Sequence, residues 1–275
     1  VEREAPEEGR GGFRLTPEYE AVNRRRMESL VPDYLARLIP AGARVCSIGC
    51  GTAYDVELLV NLGYDAYGFD GGERTAAWSN RSPSVRSRLR TGLAEDKPFG
   101  DSAFDFGYAL EVIEHVGCGD GGWEILDTTH DARVRFVESC VDMLRDGGRL
   151  FLSTSNRLCP VDIGHMHRYS RLTEKAGRLG IPLTLPWHPL NFVLSCGDIE
   201  RLVRRSRVAD RVRVRPVSPR GYLAFSSHAR ARRLRNAVNA YMSVVSLPLL
   251  RTSPANPLTT VILEGRARAG RLAAP

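Results

Sequence analysis

A chain of 275 residues, 43% hydrophobic and 26% charged, has enough apolar side chain to bury a sizeable core and fits one large domain or a domain with an elaboration. No run approaches the ~18 apolar residues of a membrane span, and the charged, glycine-rich start "VEREAPEEGRGGF" reads as a frayed tail over 1–15 rather than a signal peptide. The formal net charge of +7 hides an asymmetry: residues 1–150 carry 18 Lys+Arg against 26 Asp+Glu, and residues 151–275 carry 21 against 6.

From Thr16 the chain reads as helix, with Thr16 as N-cap, Pro17 in the first position and Pro32 splitting it, so that 16–40 form an N-terminal helical segment. Residues 41–157 alternate strand and helix. Strands are expected at 44–48, 65–69, 87–92, 104–110 and 149–155. Helices are expected at 55–62, 73–79 and 132–145, the last closed by "DGG" at 146–148. Such alternation predicts an α/β, doubly wound, Rossmann-like parallel sheet. The Pro-, Gly- and His-rich stretch that follows suits an ordered cap, expected over 158–207 and ending in a helix at 195–206. Strands at 211–216 and 257–265 complete the core within a basic C-terminal region, 208–275, and "AVNAYMSVVSLPLL" (237–250) packs as a helix or pocket wall. The six cysteines (46, 50, 118, 140, 159 and 196) form no C-x-x-C pair, which fits reduced, structural thiols in a cytoplasmic protein.

"ARVCSIGCGTAYDVELL" (43–59) is a strand feeding a glycine loop that opens a helix. A parallel sheet binds its ligand beyond the C-terminal strand ends, where Gly49 and Gly51 allow close approach to the backbone. The dinucleotide fingerprint would need a glycine at Tyr54, so NAD is a poor fit. Asp70, ending "YGFD" 19 residues past Gly51, can accept both hydroxyls of a ribose.

Three segments resemble, in order and spacing, the class I S-adenosylmethionine (AdoMet)-dependent methyltransferases. "VCSIGCGTA" is similar to their first motif, "TGLAEDKPFGDSAFDFGYALEVIEHV" (91–116) to their stretch "GDAEDLPFPDGSFDLV…EVLEHV", and "LRDGGRLFLSTSNR" (144–157) to "LKPGGRLLLSTPNR". The resemblance covers 41–157 and the last strand. It implies an AdoMet-binding core in which Ser47 stands at the usual acidic position, Gly49 and Gly51 pass the methionine part, and Asp70 with Gly71 meets the ribose. Leu93 and Ala94 would border the adenine, and backbone near Leu110 would meet the ammonium. Three positions depart from the family pattern: Ser47 replaces an acid, Ala53 the third glycine, and Leu93 an aspartate that bonds the adenine amino group.

If "EVIEHV" (111–116) starts a helix, Glu111, Glu114 and His115 share one face, and His165 and His167 in "GHMHRYS" point the same way if extended. This segment resembles metal-dependent branches of the family, the ubiquinone-type O-methyltransferases and the enzymes that methylate the 2′-hydroxyl at small-RNA 3′ ends. The resemblance implies a divalent ion, Mg or Mn, on Glu111, Glu114, His115 and His165, lowering a hydroxyl's pKa. Without metal, His115, His165 or His167 would take the proton. Trp123, Trp187 and Phe192 are candidates to close an apolar pocket over the substrate. The eleven arginines of 204–235 form a solvated face, or meet RNA phosphates, an acidic small molecule or an anionic membrane surface. The reading is a methyltransferase acting on an oxygen of a small-molecule acceptor. RNA ribose 2′-O-methylation and a non-catalytic AdoMet-fold binding protein are the alternatives.

Overall fold

The computed structural model describes residues 16–119, 122–162, 165, 170–223 and 231–265, with backbone alone at 231–235. The expected tail at 1–15 and His167 lie outside the described residues. Helix α1 (Pro17–Asp33) starts as expected, the Thr16 hydroxyl accepting from the Tyr19 N–H. Pro32 stays inside it, and the break falls later, where a 3₁₀ turn covers Leu35–Arg37. The alternating core follows: β1 (Arg44–Ile48), α2 (Tyr54–Asn61), β2 (Asp65–Asp70), a 3₁₀ stretch over Glu73–Asn80, α3 (Pro83–Arg86), β3 (Leu89–Thr91) and β4 (Phe104–Leu110). Then come α4 (Thr129–Asp142), β5 (Leu144–Ser155), α5 (Arg171–Arg178) in the cap, α6 (Cys196–Arg205), β6 (Val212–Pro216), α7 (Ala231–Val245) and β7 (Leu258–Gly265).

The seven strands form one sheet in the order β3-β2-β1-β4-β5-β7-β6. The first five run parallel, whereas β7 is antiparallel to both β5 and β6, so the expected all-parallel sheet carries a reversed strand. Alternate residues of each strand face opposite layers, as a period of two requires. Val45, Phe106 and Phe151 pack with Leu30, Val56, Leu59 and Met242 on one side. Cys46, Leu150 and Leu152 pack with Phe136, Val137 and Ile199 on the other. Each such side chain stabilises by about 1.5–3 kcal/mol on full burial.

The "DGG" stretch does not cap α4. That helix ends at Asp142, and Leu144 is already paired with Phe104 in β5. The register then shifts before Phe106 meets Arg149, and Gly147 takes φ 78 within the irregularity. Burial of Leu144 favoured pairing over another helical turn, leaving the glycines to form a bulge. Helix α6 begins with the reciprocal cap its sequence "SCGD" suggests: the Ser195 N–H donates to Asp198 Oδ2 at 2.8 Å, and Ser195 Oγ accepts from the Asp198 N–H at 3.2 Å.

All six cysteines are unbridged, five of them buried. Among the described residues no helix is long and apolar enough to cross a membrane.

Candidate active site

The parallel strands bring the C-terminal ends of β1, β2, β3 and β4 to one edge. The Gly49 and Cys50 N–H groups both donate to the Phe69 carbonyl, at 2.9 and 3.0 Å. Gly49 has φ 71, and a Cβ there would stand 2.7 Å from Val112 Cγ2, so both backbone and space demand glycine. Gly51 donates its N–H to Asp70 Oδ2 at 2.8 Å, and Gly72 donates to Asp70 Oδ1 at 2.6 Å. Asp70 is therefore oriented by two backbone donors at the mouth of the loop.

The three departures from the family pattern have distinct structural outcomes. Ala53 adopts φ 56, ψ 27, so the left-handed conformation a glycine takes easily is kept. Ser47 is buried, and its hydroxyl donates at 2.6 Å to Asp55 Oδ2, which also accepts from Tyr108 Oη at 2.7 Å. The carboxylate missing from β1 is thus supplied from α2. Burial pushes the Asp55 carboxyl up, and the two hydroxyls act against that rise. Leu93 is largely exposed, its N–H donating to Asp96 Oδ2 at 2.8 Å. Its side chain lies over Gly71, where an added Cβ would stand 2.7 Å from Leu93 Cδ2. Ala94 is buried just behind it, and Leu110 ends β4.

The helix expected at 111–116 does not form. Glu111 takes φ 55, and only Ile113–His115 make a 3₁₀ turn. Glu111 is not among the ligand groups that converge with Glu114 and His115. It is held by Arg26 of α1, whose Nη1 lies 3.4 Å from Oε2 and whose Nη2 bonds Oε1. Tyr222 Oη also donates to Glu111 Oε1 at 3.0 Å and meets Ser153 Oγ at 2.7 Å. Burial is the largest single effect and raises the Glu111 carboxyl, but the Arg26 charge, the His165 imidazole and the hydrogen bonds from Arg26 and Tyr222 together outweigh it, and the net direction is down. Helix α1 is further tied to the loop by Asn23 Nδ2 donating to Thr52 Oγ1 at 3.0 Å, and to α2 by Arg81 bridging Glu20 and Glu57.

Glu114, His115 and His165 do converge: one ligand atom from each lies within 4.8 Å of the others. Glu114 has no solvent exposure, and among the described residues neither carboxylate oxygen has a hydrogen-bond partner of ordinary geometry. Burial, the dominant effect, pushes its carboxyl up to about 7. His165 Nε2 lies 3.7 Å from Glu114 Oε1, while Nδ1 faces Asp162 Oδ1 at 3.2 Å. Burial lowers the His165 imidazole, yet the Asp162 carboxylate and then Glu114 outweigh it and raise it. His115 Nδ1 meets the Gly122 carbonyl at 2.8 Å, and burial lowers this imidazole to about 3. Both rings are anchored through Nδ1, the arrangement that orients histidine ligands. Two imidazoles and an uncompensated buried carboxylate fit a divalent cation.

Trp123 and Phe192 pack with the two histidines in one four-ring cluster, with centroids 5.1–5.7 Å apart. Trp187 is not part of it; it projects from the cap into solvent. Buried Arg133 of α4 joins the two walls, donating to the Glu114 and Phe192 carbonyls. Arg26, Asp55, Asp162 and Tyr222 were not singled out from the sequence. Asp55, two residues past Ala53, offered the one local clue. In the basic segment Arg207 and Arg211 pair with Asp142, and Arg213 and Arg215 with Glu264.

Residues 19–188 match the family model described as a methyltransferase domain. The chain is 30% identical over 118 residues to the "Probable S-adenosylmethionine-dependent methyltransferase" of Mycolicibacterium smegmatis, covering 43% of this chain and 40% of that one. It is 32% identical over 126 residues to the ubiquinone biosynthesis O-methyltransferase of Xanthomonas axonopodis pv. citri, covering 44% and 47%. The chain thus spans less than half the length of these curated relatives. Among solved structures, a chain in the Haloferax volcanii complex between a methyltransferase activator and a methyltransferase superposes with a TM-score of 0.51 at 15% identity, covering 91% of this chain and 94% of that one.

Proposed function

Given that this chain belongs to the class I AdoMet-dependent methyltransferases, we propose that it transfers the AdoMet methyl group to an oxygen of a small-molecule acceptor. The acceptor is deprotonated at the Glu114–His115–His165 cluster. The observation that carries this reading is the Glu114 carboxylate, fully buried, without a hydrogen-bond partner of ordinary geometry among the described residues, and 3.7 Å from an imidazole held by Asp162. A carboxyl tuned to about 7 is matched to accepting a hydroxyl proton near neutral pH.

AdoMet, when bound, supplies an electrophilic methyl group on a sulfonium that leaves readily. The residues of the chain provide the rest. Gly49 and Gly51 leave room for a ligand against the backbone, and Asp70 is oriented to accept the ribose hydroxyls. Leu93 and Ala94 supply apolar surface for the adenine. Glu114 takes the acceptor proton, and His165 beside it stabilises the ionised carboxylate before that transfer and again once the proton has left for solvent. Trp123 and Phe192 keep water from the reacting centre. His167 is a further candidate base by its place in the sequence.

The same donors favour a second version of the deprotonation. Glu114, His115 and His165 would hold a divalent cation such as Mg or Mn, which would lower the acceptor hydroxyl's pKa. Glu111, engaged by Arg26, would join that set only by giving up an ion pair.

The test is methyl transfer from labelled AdoMet to a panel of catechols, phenols and short RNAs, with chelator and with added Mg or Mn. O-methylated small-molecule product that falls sharply in Glu114→Gln supports the reading. Product on the RNA ribose would move the chain to the alternative substrate class. AdoMet binding with no transfer to any acceptor would favour a non-catalytic role.

A further inference from the structure

Helix α1 lays one face along the glycine loop. Tyr19, Asn23 and Arg26 stand four and three residues apart and share that face. Asn23 reaches Thr52 of the loop, and Arg26 reaches Glu111 at the end of β4. Tyr19, the first of the three, meets Arg74. The guanidinium carbon lies 4.6 Å from the ring centroid, inside the ~6 Å reach of a cation–π contact.

Arg74 stands in turn over the loop. A Cβ added to Gly51 would lie 3.5 Å from Arg74 Cδ and 3.8 Å from Nη1. Gly51 is fixed there, its N–H donating to Asp70 Oδ2 at 2.8 Å and its carbonyl accepting from Trp78 Nε1 at 2.8 Å. The 3₁₀ stretch over Glu73–Asn80 supplies both Arg74 and Trp78. Arg74 therefore reaches the ring on α1 and the glycine of the loop at once. Tyr19 is half-buried. Burial, the largest effect, pushes its phenol up; Arg74 and then Arg26 draw it down, while Glu111 and Asp70 push it up. The ring thus lies in the field of groups from both ends of the crevice, and it stays neutral near neutral pH. The guanidinium also bears on the acceptor side: after burial and the His165 charge, it is a further cause of the low His115 imidazole.

We propose that the Tyr19 ring is a cofactor-binding surface selective for charge, taking the AdoMet sulfonium in place of the Arg74 guanidinium and not holding the neutral thioether of the product, S-adenosylhomocysteine (AdoHcy). The sulfonium joins the ribose to the methionine chain. With Asp70 on the ribose and Gly49 and Gly51 against the methionine part, the placement given above and the one on which this inference rests, it passes where Arg74 and Gly51 meet beneath the ring. A ring quadrupole attracts either cation but not uncharged sulfur. When the S–CH₃ bond breaks, its electron pair stays on sulfur and the positive charge is gone, so the transfer itself loosens the hold on the product. Arg74 then returns to the ring. This holds whatever the acceptor is.

The experiment is calorimetric titration of the full chain with AdoMet, with sinefungin, whose amine is cationic at the sulfonium position, and with AdoHcy. Tyr19→Leu keeps apolar bulk and removes the quadrupole, so it should lower affinity for the two cations about fivefold and leave that for AdoHcy within about twofold. Tyr19→Phe should bind all three like the parent. Arg74→Met removes the competing cation and should raise the preference for AdoMet over AdoHcy by about threefold. Thermal midpoints of the variants should stay near that of the parent. A Tyr19→Leu loss that is equal for AdoMet and AdoHcy, or no loss, overturns the proposal, because the ring would then only pack or would lie far from the sulfur. A Tyr19→Phe variant that falls with Tyr19→Leu also overturns it, because the hydroxyl would be the binding group. AdoHcy binding by the parent that is lost in Asp70→Ala shows the cofactor site itself intact and keeps the two failures apart. A parent that binds none of the three overturns this pairing together with the cofactor placement.

Discussion

Glu114 Oε1 and His165 Nε2 lie 3.7 Å apart and are closed to solvent, one on the turn after β4 and the other on the cap. Fifty residues of sequence separate them, yet they share one electrostatic environment. An isolated buried carboxylate is costly, and what it lacks here is a proton, a cation or a substrate hydroxyl.

The first prediction concerns activity. Glu114→Gln keeps the shape and removes the proton acceptor, so turnover should fall by about 10²–10⁴-fold while AdoMet affinity, measured by calorimetry, changes little. Turnover of the parent should rise with pH through about 7, where the Glu114 carboxyl ionises. A flat profile between pH 5.5 and 8 would remove Glu114 from the proton transfer.

The same residue makes a stability prediction with a definite sign. Burial raises its carboxyl from 4.5 to about 7, so between those values the folded chain holds a proton that the unfolded chain has released. Stability is therefore lost as pH rises through that window. In chelator, Glu114→Gln should be more stable than the parent at pH 8 by on the order of 2 kcal/mol, with the gain vanishing below pH 4.5. Denaturant titrations at the two pH values would measure it, and an equal difference at both would contradict it.

Restoring the family acid should harm this protein. Ser47→Asp sets a second carboxylate against Asp55, which the serine hydroxyl now reaches at 2.6 Å. Like charges in a buried site repel, and we expect a loss of about 1–3 kcal/mol in chemical denaturation with no gain in AdoMet affinity. Ser47→Asp/Asp55→Ser, which moves the acid back to the strand, should recover part of the loss.

Asp70→Ala removes the carboxylate that organises the Gly51 and Gly72 N–H groups. Hydrogen bonds to a charged acceptor contribute about 1.5–3 kcal/mol each, so AdoMet affinity should fall by at least about tenfold. Calorimetry reads this directly. Unchanged affinity would mean that the ribose lies elsewhere.

The pair between Arg26 and Glu111 ties α1 to the end of β4. Arg26 is 37% exposed along its side chain, so solvent screening limits the pair, and a double-mutant cycle with Arg26→Met and Glu111→Gln should give about 1 kcal/mol of coupling. The Glu111 carboxyl is held below its ordinary value, so its contribution is present at neutral pH and is lost as acid protonates it. Coupling that persists at low pH would argue against an ionic origin.

What the sequence determined by itself is the local part of this molecule. "VCSIGCG" places a strand before two glycines, one of which cannot be replaced without striking Val112. "YGFD" ends a strand on Asp70, and "SCGD" begins a helix. These are decisions of steric range and short hydrogen bonds, made within a few residues. Tertiary structure decided the rest. It reversed β7 against β5, drew "DGG" into a bulge and gave Glu111 to Arg26 across 85 residues. It also answered the missing acid of β1 with Asp55 and brought His165 to Glu114. Those outcomes depend on which polar groups lose water together when the layers close, and desolvation is set by packing partners that a linear pattern does not contain.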